Sequence, residues 1–186
     1  MPKLPTDMPK LPLQSEKELY YAVWTTAWGP MAAAATDAGV ARIELPHYQP
    51  DDLRRMFAWQ HPNAREAQTP FETLTELSRR YFNAELVDFS EVVCDLPSTG
   101  SFTGKVLRAC RKIPYGQTRS YSSLAKAIGR GDAARAVAAT MGKNPLPLVV
   151  PCHRVIYADG RLGGFSAAGG EELKRRMLEL EDRASS

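Results

Sequence analysis

Long hydrophobic runs are missing from this sequence. No segment approaches the ~18 consecutive apolar residues of a membrane-spanning helix, and the mean hydropathy is −0.34, which excludes an integral membrane protein and predicts no membrane partner. Cysteine is scarce. Cys94, Cys110 and Cys152 form no C-x-x-C pair in 186 residues, which argues against a disulfide scaffold and for a reducing compartment. The three histidines, His47, His61 and His153, fall at no spacing that would clamp a zinc ion with those cysteines, so no metal is expected. The opening MPKLPTDMPKLPLQ carries four prolines and no apolar h-region. It therefore reads as something other than a secretory signal, and cytoplasmic residence is the expectation. MPKLP occurs twice, at 1–5 and 8–12, and residues 1–17 read as a disordered proline-rich tail.

Negative charge is absent from one stretch. The whole chain is nearly balanced at a net +3, but residues 102–151 hold nine cations (Lys105, Arg108, Arg111, Lys112, Arg119, Lys126, Arg130, Arg135 and Lys143) against Asp132 alone. One strongly basic third in a neutral protein suits a polyanion-facing surface; a solvated face of helices is the plainer alternative.

What is present has ordinary globular composition, 44% hydrophobic and 24% charged, enough for a core in one domain or two small ones. From Leu19 the chain is rich in β-branched, aromatic and small residues with turn signals at Gly29-Pro30 and Asp37-Ala38-Gly39. This predicts an antiparallel meander with strands near 19–26, 31–36 and 39–45. A helix is expected at 51–58. Another follows Thr69-Pro70, with Phe71, Leu74, Leu77, Tyr81 and Phe82 at helical spacing, and 87–96 reads as one more strand. Turn residues gather at Pro97-Ser98-Thr99-Gly100, where the charge balance reverses, so the boundary between an N-terminal domain (18–97) and a C-terminal domain (98–186) is placed there. The fold class is α/β in the α+β sense: a small antiparallel sheet with helices, then a mainly helical part. The latter opens with Phe102, Val106, Leu107, Cys110 and Ile113 on one helix face, leaving Lys105, Arg108, Arg111 and Lys112 mostly towards solvent.

Two short helices come next. Ser120 or Ser122 can cap the first, whose apolar positions are Leu124, Ala125 and Ile128 and which Gly129 ends. Asp132 reads as the N-cap of the second, which starts at Ala133 and stops at Gly142. This is a helix-turn-helix whose second helix is almost all alanine. Small side chains let a backbone approach either a protein core or a nucleic-acid groove. Readers of the major groove display several long polar side chains to base edges, and here Arg135 stands nearly alone, flanked by Arg130 and Lys143. A slim helix with one long cation suits the minor groove, about 6 Å wide, and sequence-indifferent contact.

Residues 144–156, NPLPLVVPCHRVI, form an apolar, strand-like run interrupted by Pro151-Cys152-His153. Titratable groups inside such a run are costly unless paired, so they are hydrogen-bonded or functional. A cysteine is a strong nucleophile only as thiolate, which needs a neighbouring base or cation, and His153 is the obvious base. Neighbours on an extended chain point to opposite sides, so a bridging water rather than direct contact is expected.

PCHRV, preceded by Asn144-Pro145-Leu146-Pro147 and by the Ala-Arg-Ala-Val helix, resembles the signature of the O6-alkylguanine-DNA alkyltransferases, also called methylated-DNA–protein-cysteine methyltransferases; the likeness runs from about Ile113 to Glu181. The resemblance implies that Cys152 takes the alkyl group from O6-alkylguanine, and from O4-alkylthymine, in duplex DNA and keeps it as a thioether, one turnover per molecule, with no cofactor. It implies His153 as base through water, a carboxylate orienting it, and Tyr121 donating to guanine N3. Glu181 is the carboxylate that the alignment of Gly169-Gly170 and Lys174 selects, with Glu179 and Glu172 as rivals. Asn144 would connect the second helix to the cysteine turn. Val155, Ser166, Phe165, Gly164, Pro147 and Lys174 would line the base pocket. Arg135 would replace the extruded nucleotide, supported on DNA by Ala133, Ala134, Ala136, Arg130, Lys143 and Ser122. Phe165 stands where the family often has tyrosine and Leu107 where it often has tryptophan. The partner is double-stranded DNA and the expected state a monomer. The rival readings are a non-catalytic helix-turn-helix protein that binds alkylated bases, against which Cys152 speaks, a sequence-selective regulator, and a thiol hydrolase.

Overall fold

The computed structural model describes residues 18–185; the expectation for the proline-rich stretch 1–17 lies outside the described residues. Strands β1 (Tyr20–Thr26), β2 (Gly29–Thr36) and β3 (Gly39–Glu44) form the antiparallel meander that the sequence predicts, with a register shift at Ala34/Ala35. Helix α1 (Pro50–Gln60) follows, then a two-residue strand β4 (Arg65–Glu66) that pairs parallel with β1. The sheet is thus mixed, in the order β3-β2-β1-β4, rather than purely antiparallel.

Alternation on β2 explains its run of alanines. Ala32 and Ala34 pack with Val23, Leu53, Met56 and Phe57 under α1, whereas Met31, Ala33 and Ala35 join the main apolar cluster on the opposite face. A strand buried on both faces alternates its side chains between the two layers and so reads as an unbroken apolar run. The main cluster runs on into the C-terminal half through Val106, Leu107, Val137, Val150 and Met177. Helix α2 (Glu72–Phe82) buries Leu74, Tyr81 and Phe82 in it, and the Trp24 indole donates to Ser78 Oγ at 2.8 Å, fixing α2 on β1.

The strand expected at 87–96 does not form. Only Val40 and Cys94 bridge, and Val40 N–H donates to Val93 O at 2.9 Å. The carbonyls of Phe89, Ser90 and Val92 accept instead from one Arg111 guanidinium nitrogen at 3.0, 3.1 and 2.6 Å. A side chain thereby supplies donors that a neighbouring strand would have given. Gly39 is required where this strap crosses β3: its φ is +124°, and a Cβ there would lie 2.6 Å from Val93 O. Arg108 likewise donates to Pro97 O and Gly104 O, so Arg108 and Arg111 are half-buried tethers of the connecting segment rather than solvent-facing charges.

Helices α3 (Phe102–Arg111), α4 (Tyr121–Ala127), α5 (Ala134–Met141) and α6 (Gly170–Ser185) make up the C-terminal half, with short parallel strands β5 (Arg119–Ser120) and β6 (Val155–Ile156). Ser120 caps α4 through Ser123 N–H. At its other end Arg130 N–H reaches back to Ala125 O across Gly129, whose φ is +73°. Asp132 does not cap α5. Ala133 occupies that position with no side-chain cap, because Ala133 N–H closes a turn onto Arg130 O at 2.9 Å and carries the Asp132 carboxylate outward towards Arg130.

Candidate active site

The segment before the cysteine is not a strand, contrary to the sequence reading. Leu148 takes φ +78°, Val150 N–H returns to Leu146 O, and Pro151 (φ −78°, ψ 67°) closes a tight turn in which Cys152 N–H donates to Val150 O at 2.7 Å. Residues 152–154 then make one 3-10 turn before β6. Prolines 145, 147 and 151 remove donors a ladder would need, which is why an apolar run this rich in leucine and valine turns instead of extending. The β3 edge steadies the segment, with Ile43 N–H donating to Pro145 O at 2.9 Å.

Asn144 organises the turn with every polar atom of its amide. Nδ2 donates to Val150 O at 2.8 Å and to Cys152 Sγ at 3.1 Å, while Oδ1 accepts from Leu146 N–H at 3.1 Å. Cys152 is 3% exposed. Burial pushes its thiol above the ordinary value; the Asn144 amide, the Lys174 ammonium and the Ser166 hydroxyl pull it back. A base is therefore needed to ionise it.

His153, fully buried, points Nε2 at Glu181 Oε1, 2.7 Å away. Burial alone would raise the Glu181 carboxyl, but His153 and Arg154 hold it down at about 2. Glu181 is consequently an acceptor at neutral pH, and Nε2 must carry the proton. Burial also holds the imidazole below its ordinary value, so it is neutral, with a bare lone pair at Nδ1. Nδ1 is buried and has no protein partner. Of the three carboxylates weighed, Glu172 and Glu179 are exposed and Glu172 pairs with Arg175 on the surface; Glu181 alone of them is buried.

Glu181 serves more donors than its histidine. Arg154 approaches both oxygens (Nε at 3.0 Å from Oε2, Nη2 at 2.9 Å from Oε1) and also donates to Ile113 O at 2.7 Å. Gly116 N–H donates to Oε2 at 3.0 Å, and Tyr81 Oη to Oε1 at 2.8 Å. Sequence reasoning missed Arg154 and Tyr81. The signal for Arg154 was present: a cation within the same apolar run demands a buried counter-charge as firmly as Cys152 demands a base.

Tyr121, at the start of α4, is buried, and burial pushes its phenol up to about 12, so it remains a proton-bearing donor. Its hydroxyl packs where a Gly163 Cβ would sit, 2.8 Å away, at φ +71°. Lys174 Nζ straps the glycine-rich loop to β6 through Val155 O at 2.7 Å and Leu162 O at 2.5 Å. Burial lowers its ammonium to about 8. Of the other expected pocket residues, Pro147 and Val155 are buried, Phe165 is half-buried against the main cluster, and Gly164 and Ser166 are exposed.

The expected DNA-facing residues lie on and around α5 and at the start of α4. On α5, Val137 and Met141 are buried while Arg135 and Ala136 are exposed, so the alanine-rich helix serves the core with one face and offers the other outward. Ala133 and Ala134 are half-buried, Arg130 and Lys143 exposed at the two ends, and Ser122 half-buried with its hydroxyl 3.0 Å from Ser120 Oγ. A groove of about 480 Å³ between α3 and α4 collects Lys105, Arg108, Lys112 and Arg119. No group of three or more histidine, cysteine or acidic side chains that could hold a metal occurs among the described residues, and no helix among them is long and apolar enough to cross a membrane.

The family described as 6-O-methylguanine DNA methyltransferase, DNA binding domain, matches residues 101–183. The methylated-DNA–protein-cysteine methyltransferase of Mycobacterium tuberculosis is 43% identical over 131 residues, spanning 68% of this chain and 77% of the relative. That of Methanosarcina acetivorans is 33% identical over 164 residues, spanning 88% and 98%. This chain belongs to the methylated-DNA–protein-cysteine methyltransferase family. Among solved structures, Mycobacterium tuberculosis OGT in complex with DNA superposes with a TM-score of 0.73 at 33% identity, covering 89% of this chain and 94% of that one. The fold of the methyltransferase family therefore extends over the N-terminal sheet as well as the helical half.

Proposed function

We propose that Cys152 is the alkyl acceptor of a single-turnover repair reaction on O6-alkylguanine in duplex DNA. The observation that carries the reading is the Asn144 Nδ2 to Cys152 Sγ hydrogen bond beside a buried, neutral His153 held by Glu181. In the reaction, His153 Nδ1 takes the thiol proton through one water. Sγ forms a bond to the alkyl carbon as the carbon–O6 bond breaks, and the electron pair leaves with guanine. Tyr121 donates to N3 of the departing base, which finally takes up the proton held by the imidazole. Protein thioether and unmodified guanine result, so no cofactor enters. The acceptor is consumed.

Guanine O6 inside a duplex cannot meet a buried sulfur, so the nucleotide must be extruded. In this reading α5 lies in the minor groove with Arg135 filling the gap and Ala133, Ala134 and Ala136 permitting close approach. The Gly160–Gly170 loop, with Ser166, Phe165, Gly164 and Lys174, lines the base pocket. Residues 98–186 form the DNA-binding and acceptor domain, residues 18–97 a supporting one, and the protein acts as a cytoplasmic monomer without sequence preference.

Intact mass spectrometry after mixing with an O6-methylguanine oligonucleotide tests this. The protein is expected to gain one methyl, located on Cys152 by peptide mapping, and Cys152→Ala to gain none. Methylation at Cys94 or Cys110 overturns the assignment. Duplex affinity is expected to be independent of sequence and to fall steeply with salt. Neutralising several phosphates gives a log-log slope of several units, since each contributes about 0.9. Lys112→Gln with Arg119→Gln is expected to reduce that slope; a flat salt response contradicts the proposed interface.

A further inference from the structure

Every acting residue named so far belongs to the C-terminal half, and the matched DNA-binding domain begins at residue 101. One side chain from the N-terminal half nevertheless ends inside the relay. Tyr81, in the last turn of α2, is fully buried, with its ring edge-on to Phe82, Tyr115 and His153. Its hydroxyl donates to Glu181 Oε1 at 2.8 Å, the oxygen that also receives His153 Nε2–H at 2.7 Å, and lies 3.4 Å from Nε2 itself. Helix α2 is held against β1 by the Trp24–Ser78 hydrogen bond, one turn before Tyr81, so this placement is built into the sheet.

We infer that Tyr81 is a positioning residue of the alkyl-transfer relay: by sharing Glu181 Oε1 with His153, it limits how strongly the carboxylate can stabilise an imidazolium and so keeps His153 in the proton-accepting form. The inference rests on the proposed role of the His153–Glu181 pair. The chemistry is a competition. A carboxylate oxygen that already accepts a phenolic O–H has less charge to offer a second donor, so charging His153 gains less. The other polar groups around the pair act alongside it. Arg154 and Gly116 N–H donate to Glu181, Arg154 and Lys174 carry like charge towards an imidazolium, and the Tyr115 ring lies under Arg154. Tyr81 is the one of these supplied by the N-terminal half. Its own ionisation does not enter, because burial and the Glu181 charge raise its phenol well above the ordinary value.

The test is a pH profile. In Tyr81→Phe the ring remains and the donor is lost. The titration of 15N-labelled His153, followed by NMR, is expected to move up by roughly one pH unit, and the acid limb of the methyl-transfer rate to move with it. On that limb the variant is then about tenfold slower, while the alkaline plateau stays within about twofold. A loss equal at every pH means that Tyr81 only packs, and overturns the inference, as does an unshifted titration. Replacing Tyr81 with 3-fluorotyrosine supplies a more acidic phenol in almost the same volume. It is expected to move the His153 titration the opposite way, and this decides the matter should the phenylalanine variant fold poorly; an unmoved titration again overturns it. Absence of methyl transfer in the unsubstituted protein would defeat the proposed function itself, whereas the NMR titrations would still report on Tyr81.

Discussion

Glu181→Ala is expected to destabilise the protein by about 3–5 kcal/mol and to slow methyl transfer by about a hundredfold or more. The first effect follows from what remains behind. Arg154 is 5% exposed, and without Glu181 its guanidinium keeps only the Ile113 carbonyl and the face of the Tyr115 ring from its present partners, neither of which carries a counter-charge. Removing one partner of a buried ion pair leaves the other charge desolvated and uncompensated. Tyr81 Oη and Gly116 N–H lose their acceptor in the same step. The second effect arises because nothing then fixes which nitrogen of His153 bears the proton. The pH dependence has a definite sign. The Glu181 carboxyl is held at about 2, below its ordinary value of 4.5, so its contribution to stability is complete above pH 4.5 and is lost as pH falls towards 2. Urea denaturation at pH 7 and near pH 3 should therefore show the gap between wild type and Glu181→Ala narrowing in acid. A gap that stays constant would mean that the carboxylate is not the anchor of the cluster.

Some of this centre is written in periodicity and some is not. On α6 the buried positions Leu173, Met177 and Glu181 recur every fourth residue, so Glu181 falls on the apolar stripe where Glu172 and Glu179 do not. That spacing is a physical reason for choosing Glu181 independent of any family likeness. Tyr81 was equally visible as a core aromatic at helical spacing, but its hydroxyl meets a carboxylate 100 residues away, and no local pattern encodes a contact across the fold. The opposite failure occurs at 87–96. The segment reads locally as a strand, yet what the carbonyls there receive is decided by Arg111, whose place on its own helix points mostly towards solvent. Local propensity proposes an element; a distant donor can remove the need for it. The basic third of the sequence was likewise read as one surface. Arg111 has left it for backbone carbonyls, while Lys105, Arg108, Lys112 and Arg119 line the groove between α3 and α4, and Arg135 on α5 stands apart with Arg130 and Lys143 beyond its ends.

Asn144→Asp is expected to reduce methyl transfer by about a hundredfold or more while leaving affinity for unmodified duplex nearly unchanged. The substitution is close to isosteric, so Oδ1 can still accept Leu146 N–H and hold the first half of the turn. What changes is the edge facing Val150 O and Cys152 Sγ, where two N–H donors give way to an oxygen. A hydrogen bond to a charged group contributes about 1.5–3 kcal/mol, so losing the donor to a forming thiolate slows its reaction by between about tenfold and somewhat over a hundredfold. A carboxylate in its place adds repulsion to that loss. The site escapes this repulsion only by protonating the aspartate, a group 5% exposed at the present side chain. Burial already raises the Cys152 thiol, and the amide is the leading influence that lowers it. Iodoacetamide alkylation of Cys152 should consequently require higher pH in Asn144→Asp than in wild type. Asn144→Ala, which deletes the donor without adding charge, should fall between the two in transfer rate, although it also frees Leu146 N–H and Val150 O and so destabilises the turn. Since α5 and its exposed Arg135 are untouched by either substitution, duplex binding measured on unmodified DNA separates the fate of the thiol from that of the interface. If Asn144→Asp transferred methyl within about threefold of wild type, the side-chain amide would have no part in sustaining the nucleophile, and the turn around Pro151 alone would have to account for its reactivity.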